Sequence, residues 1–189
     1  MRSLLVERKF YCPVPSELND PYDCNIGTAN HLMGMIKKCG VFCLSGNKGD
    51  DILLFSFYAD KHKGFSLEFE VDIDKTIGET SFLGFIQPVT YVNDFPIFDS
   101  KNIHKVLTTK YRAWQYEDEY RVFADLETNP SKYRTYSEGE LIGVRFGLHM
   151  DPKDESLVGD WVNMGNHRKV SFKKAHLCKD RFGLEYIPV

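Results

Sequence analysis

No stretch of this sequence approaches the roughly 20 consecutive apolar residues that a membrane-spanning helix needs. The opening Met1-Arg-Ser-Leu-Leu-Val-Glu-Arg-Lys9 brings in charge too soon after its short apolar segment to read as a signal peptide. The expectation is a cytoplasmic protein with no membrane partner. Cysteine is sparse: Cys12, Cys24, Cys39, Cys43 and Cys178 form no CxxC pair, and pairing them would leave one over. That argues against a disulfide framework and fits reduced thiols. Cys39 and Cys43 have the spacing to share zinc, but small buried residues around Val41-Phe-Cys-Leu44 are the simpler reading, and no structural metal is expected. An excess of positive charge is missing too. At a formal charge of −3 nothing draws the whole chain to phosphate backbones, although His167-Arg-Lys169 and Lys173-Lys174 keep local contact with nucleic acid open. Also absent are GxGxxG, the P-loop, GxSxG, HExxH and the EF-hand loop, so any chemistry must come from a less common constellation. Gly46-Asn-Lys-Gly49 reads as a turn, because no Lys-Ser/Thr pair opens a helix after it.

What is present is enough apolar material, 42% of 189 residues, to build the core of one domain. Phe65-Ser-Leu-Glu-Phe-Glu-Val-Asp72 alternates apolar and polar residues, the pattern of a strand with one wet face. Further strands are expected at Lys9 to Cys12, Val41 to Ser45, Phe85 to Val92, Tyr120 to Ala124, Leu141 to Phe146, Lys169 to Leu177 and Leu184 to Val189. Helices are expected at Ala29 to Lys38 with Thr28 as cap, Asp51 to Asp60, Ile103 to Tyr111 and Ser156 to Met164. Many strands with few helices between them predict a single α+β domain with a mainly antiparallel, twisted sheet.

Three places hold candidate chemistry. Lys110-Tyr-Arg-Ala-Trp114-Gln-Tyr-Glu117-Asp-Glu119-Tyr-Arg121 crowds carboxylates, cations and aromatic rings together beside the apolar run Val122-Phe-Ala. Such groups are costly to bury without a purpose. Strand alternation from Glu117 puts Glu117, Glu119 and Arg121 on one face. There one carboxylate would be held ionised by Arg121 or Lys110 and the other pushed toward protonation, as general acid–base work requires; a solvated edge of ordinary ion pairs fits the same residues. Phe57-Tyr58-Ala-Asp60-Lys-His62-Lys-Gly64 sets a phenol, a carboxylate and an imidazole beside a turn into a strand, with His62 a proton carrier or a plain surface histidine. Leu18-Asn19-Asp20-Pro21-Tyr22-Asp23 is a turn whose Asx side chains bond their own backbone, suited to ordering the rim of a cleft.

Taken together, these segments resemble the DUF2971 family of uncharacterised bacterial proteins. Tyr11 through Asp23 is similar to its aromatic-Ser-x-Pro-x-x-hydrophobic-Asn-Asp-Pro-aromatic-Asp turn, with Cys12-Pro13-Val14-Pro15 in place of the Ser-x-Pro start. Phe55 through Gly64 resembles its aromatic-Ser-x-Tyr-Ala-Asp-x-His-x-Gly segment, and Lys110 through Arg121 its Lys-x-x-x-Trp-x-Tyr-Glu-x-Glu-aromatic-Arg segment. A further strand that members place before the Asn-Asp-Pro turn has no good copy here. The layout is more weakly similar to ADP-ribosyltransferase-like toxins, which implies an NAD-dependent transferase acting as a toxin or in phage defence on a nucleic-acid or protein acceptor. On that resemblance Glu119, with Glu117 and His62, is catalytic, while Tyr58, Trp114, Lys110, Arg121 and Asn19 bind NAD. A carboxylate beside the ribose would stabilise an oxocarbenium-like state, and Lys110 or Arg121 would hold the pyrophosphate. The alternatives are a non-catalytic protein- or nucleotide-binding module and a metal-dependent nuclease.

Overall fold

The strand Leu141–Phe146 buries Leu141, Val144 and Phe146 and has hydrogen-bonded neighbours on both edges. A computed structural model describes this and the rest of residues 1–25, 30–46, 52–71, 82–96 and 102–189. Thr28 and Ala29, Asn47 to Gly49, Asp51 and Asp72, to which turns, caps and element ends were assigned from sequence, lie outside the described residues.

Contacts gather the chain into two units, each assembled from segments distant in sequence. One comprises Met1–Lys9, Asn47–Asp72 and Thr135–Val189; the other comprises Phe10–Gly46 and Ile73–Arg134. Both mix helices with mostly antiparallel strands, giving the α+β class. Their interleaving leaves no linker or composition shift to mark a boundary.

The first unit holds a four-stranded sheet in the order Leu184–Pro188, Ser171–Leu177, Leu141–Phe146, Phe65–Phe69. Its central pair, Leu141–Phe146 with Ser171–Leu177, is parallel and the outer pairings are antiparallel. A parallel pair needs a crossover, and the helix Pro152–Met164 supplies it. That helix starts before the expected Ser156: Asp151 caps it by accepting from the Lys153 N–H at 2.8 Å, and Pro152 takes the first turn, where its missing N–H is harmless. Phe55, on the helix Ile52–Tyr58, packs with Ala175 and Leu184 to form a local core.

In the second unit Glu119–Asp125 pairs antiparallel along its whole length with Cys39–Ser45 and, at its start, with Gln87–Pro88. Cys24, Ile36, Val41, Val106 and Leu107 form its core. Two expectations need correction here. The single strand expected from Phe85 to Val92 is a short 3-10 turn, Phe82–Phe85, followed by Gln87–Pro88 and Thr90–Val92, because Pro88 has no N–H to continue a ladder. The helix expected through Tyr111 stops at Leu107. Thr108 returns its hydroxyl to the His104 carbonyl at 2.7 Å, and Thr109–Tyr111 turns into a strand parallel to Thr90–Val92, as a β-branched pair favours. Among the described residues no helix is long and apolar enough to cross a membrane.

Candidate functional site

The second unit places five charged side chains out of water in one cluster. Asp23, Lys110, Glu117, Glu119 and Arg121 are each less than 8% exposed. Arg121 is wholly buried, and its five N–H groups all find acceptors: Nε donates to Glu119 Oε1 at 2.7 Å, Nη1 to Asp23 Oδ1 and the Leu107 carbonyl, and Nη2 to Asp23 Oδ2 and Glu119 Oε2. Lys110 Nζ donates to Glu117 at 2.6 Å and Glu119 at 2.9 Å, lies 3.5 Å from Asp23, and sits 4.9 Å from the centre of the Trp114 ring.

The local fold explains how the cluster assembles. Glu119 and Arg121 share a strand face, as alternation predicts. Glu117 does not belong to that strand, contrary to expectation. It ends the 3-10 helix Arg112–Glu117, and Asp118 takes a left-handed conformation (φ 44°) that turns the chain into the strand. The reversal is fixed by Ser45 Oγ, which donates to the Glu117 carbonyl at 2.6 Å, and by the Gly46 N–H, which donates to the Asp118 carbonyl at 2.7 Å. Tyr91 Oη accepts from the Glu119 N–H at 2.8 Å.

Burial alone would raise the Glu119 carboxyl, but the hydrogen bond and charge of Arg121, with the charge of Lys110, bring it down to about 2. Burial likewise disfavours the Lys110 ammonium, yet the charge of Glu119 and the bonds to Glu117 and Glu119 hold it above the ordinary lysine range. Glu119 therefore stays ionised through the neutral range.

Beside this network lies a cavity of about 410 Å³. Lys110 and Asp23 reach it from the cluster; Trp114, Tyr111, Tyr22 and Phe95 supply rings, and Asp20 and Asp94 carboxylates. As its composition predicted, the Asn19–Asp23 turn is closed by an Asx bond, Asp20 Oδ1 accepting from the Tyr22 N–H at 2.9 Å. Asn19 itself is exposed, whereas Asp20 and Asp23 are buried. Sequence reasoning took Asp23 only as the end of a turn at the rim of a cleft and did not pair it with Arg121, 98 positions away. The signal was there, in a second acidic residue at the end of the turn.

Tyr58 and His62 belong to the first unit. Tyr58 is 53% exposed at the end of its helix. His62 Nε2 is 3.0 Å from Ser56 Oγ, its ring stacks on Phe55, and the His149 ring is 6.2 Å away. It ends a run of three residues, Asp60, Lys61 and His62, with φ of 43°, 55° and 68°, a left-handed turn that non-glycine residues adopt only under constraint. Burial, with His149 second, holds the His62 imidazole below the ordinary 6.5. The unfolded chain therefore takes up a proton that the folded chain resists, so His62 contributes a loss of stability as pH falls through 6.5. His62→Gln should show a shallower decline in thermal denaturation over that range. Equal slopes would remove His62 from the acid response.

Among the described residues no three of His, Cys, Asp or Glu are grouped to hold a metal ion. Comparison with models of protein families, with curated proteins and with solved structures finds no match to this chain.

Proposed function

We propose that the chain is a non-catalytic binding module in which the buried ion network is a rigid floor and the aromatic-walled cavity beside it receives the ligand. The observation that carries this reading is the saturation of the network. All five Arg121 donors and both Glu119 oxygens have partners within the protein. A carboxylate assisting an oxocarbenium-like state must face the sugar with its charge uncompensated, and a guanidinium holding a pyrophosphate must have donors to spare. Neither condition fits groups already committed to each other. The cavity, by contrast, falls within the roughly 300–1,000 Å³ of small-molecule sites, and Tyr22, Phe95 and Tyr111 around it are each more than half exposed. Aromatic surface gathered at one concavity marks a place where something binds.

Incubation of the purified protein with NAD separates this reading from the transferase one. The expected result is no release of nicotinamide, with Glu119→Gln lowering stability by roughly 1.5–3 kcal/mol through loss of charge-assisted bonds. Nicotinamide release that Glu119→Gln abolishes, in a protein that still unfolds cooperatively, would instead establish NAD cleavage.

A further inference from the structure

We infer that the ligand of this cavity is an organic cation, an ammonium or guanidinium group that enters among the rings and pairs with Asp20. The inference rests on the binding-module reading and adds the chemistry of the ligand. Two independent observations support it.

The first is an unused acceptor. Asp20 is only 7% exposed and lines the cavity. Its Oδ1 is occupied by the Tyr22 N–H, whereas Oδ2 has no hydrogen-bond partner among the described residues. Asp23 next to it has both oxygens engaged by Arg121. A mostly buried carboxylate with one oxygen open to the cavity has no counter-charge bonded to that oxygen, and a ligand that displaces the cavity water there has to supply one.

The second is the balance of charge and rings. Asp20, Asp23, Asp94, Glu117 and Glu119 are five carboxylates in and behind the cavity wall; Lys110 and Arg121 are two cations. The excess is three negative charges, and both cations are already paired. A phosphate entering here meets repulsion from these carboxylates, whereas a cation meets attraction. The walls suit it as well. Trp114 already has the Lys110 ammonium against its ring, and the Tyr22 and Phe95 rings meet edge to face with centroids 6.2 Å apart. Aromatic faces attract cations most strongly where water is displaced.

Calorimetric titration of the full chain tests this with four probes: choline, its uncharged carbon isostere, agmatine and adenosine monophosphate. Choline or agmatine should bind and the neutral isostere should not. Trp114→Ala and Asp20→Asn should each weaken the cation at least tenfold. Asp94→Asn, a change on the exposed rim with no effect on folding, should also weaken it should Asp20→Asn fail to fold. If the neutral isostere binds as well as choline, or adenosine monophosphate binds in a Trp114-dependent way and the cations do not, the cation inference is overturned while the binding module stands. If no probe binds, the cavity is not a ligand site and both readings fall.

Discussion

Replacing Arg121 with methionine is expected to lower stability by roughly 3–5 kcal/mol, since it strands buried carboxylates with too little positive charge. At roughly 2–4 °C per kcal/mol for a chain of this size, thermal unfolding should move down by about 6–20 °C. The side chain is wholly buried and its fork is shared between Asp23 and Glu119, so lysine, with a point charge and no fork, should recover only part of the loss. A charge-matched pair decides whether the cost lies in the interaction or in packing. Asp23→Asn combined with Arg121→Met should be less harmful than the sum of the single changes, because Asp23→Asn removes a carboxylate charge that Arg121→Met leaves unpaired. Strict additivity in denaturant titrations would mean that the ion pair contributes little and that the loss is one of volume.

The other large effect is expected at a glycine of the first unit. A Cβ on Gly147 would stand 2.3 Å from the His62 carbonyl oxygen and 2.7 Å from that of Gly64. Neither oxygen can yield easily. The His62 carbonyl accepts from the His149 N–H at 2.9 Å, and the Gly64 carbonyl accepts from the Gly147 N–H at 2.9 Å. Gly147→Ala should therefore cost at least the ~1–3 kcal/mol of an overpacked site, and should disturb the left-handed Asp60–His62 turn with it. Gly159, inside the helix Pro152–Met164, has nothing within 4 Å of the corresponding position. Gly159→Ala should stabilise by about 0.4–1 kcal/mol. Urea titrations of the two variants should shift in opposite directions; a neutral Gly147→Ala would show that the turn is free to relax.

How much of this could be read in advance depends on how local the determining physics is. Leu141–Phe146 appears at its expected bounds, because a β-rich apolar run between turn residues admits few alternatives. The stretch from Lys110 to Arg121 stood out through its composition alone, which left a cleft face and a solvated edge both open, and four of the five buried cluster members come from it. What failed was the placement of Glu117. A left-handed Asp118 is a one-residue event with no periodic signature, so alternation was carried two residues too far. The fifth member, Asp23, was legible only as the end of a turn, for a different reason. Its partner is fixed by the packing of a loop, and no rule of spacing joins residues 98 apart. The cavity was hidden likewise, since Tyr22, Phe95, Tyr111 and Asp94 come from segments that only tertiary structure brings side by side.

The interleaved segments impose an order on biosynthesis. Every piece of the unit that holds the ion network has been made once Arg134 is in place, so Asp23 and Arg121 can meet while the remaining chain is still on the ribosome. The other unit must wait: three of the four strands of its sheet, Leu141–Phe146, Ser171–Leu177 and Leu184–Pro188, come after that point. Folding that follows synthesis then starts with the charged cluster. A chain interrupted soon after Arg134 would carry a complete set of network residues beside an N-terminal segment and a Phe65–Phe69 strand with no sheet to join.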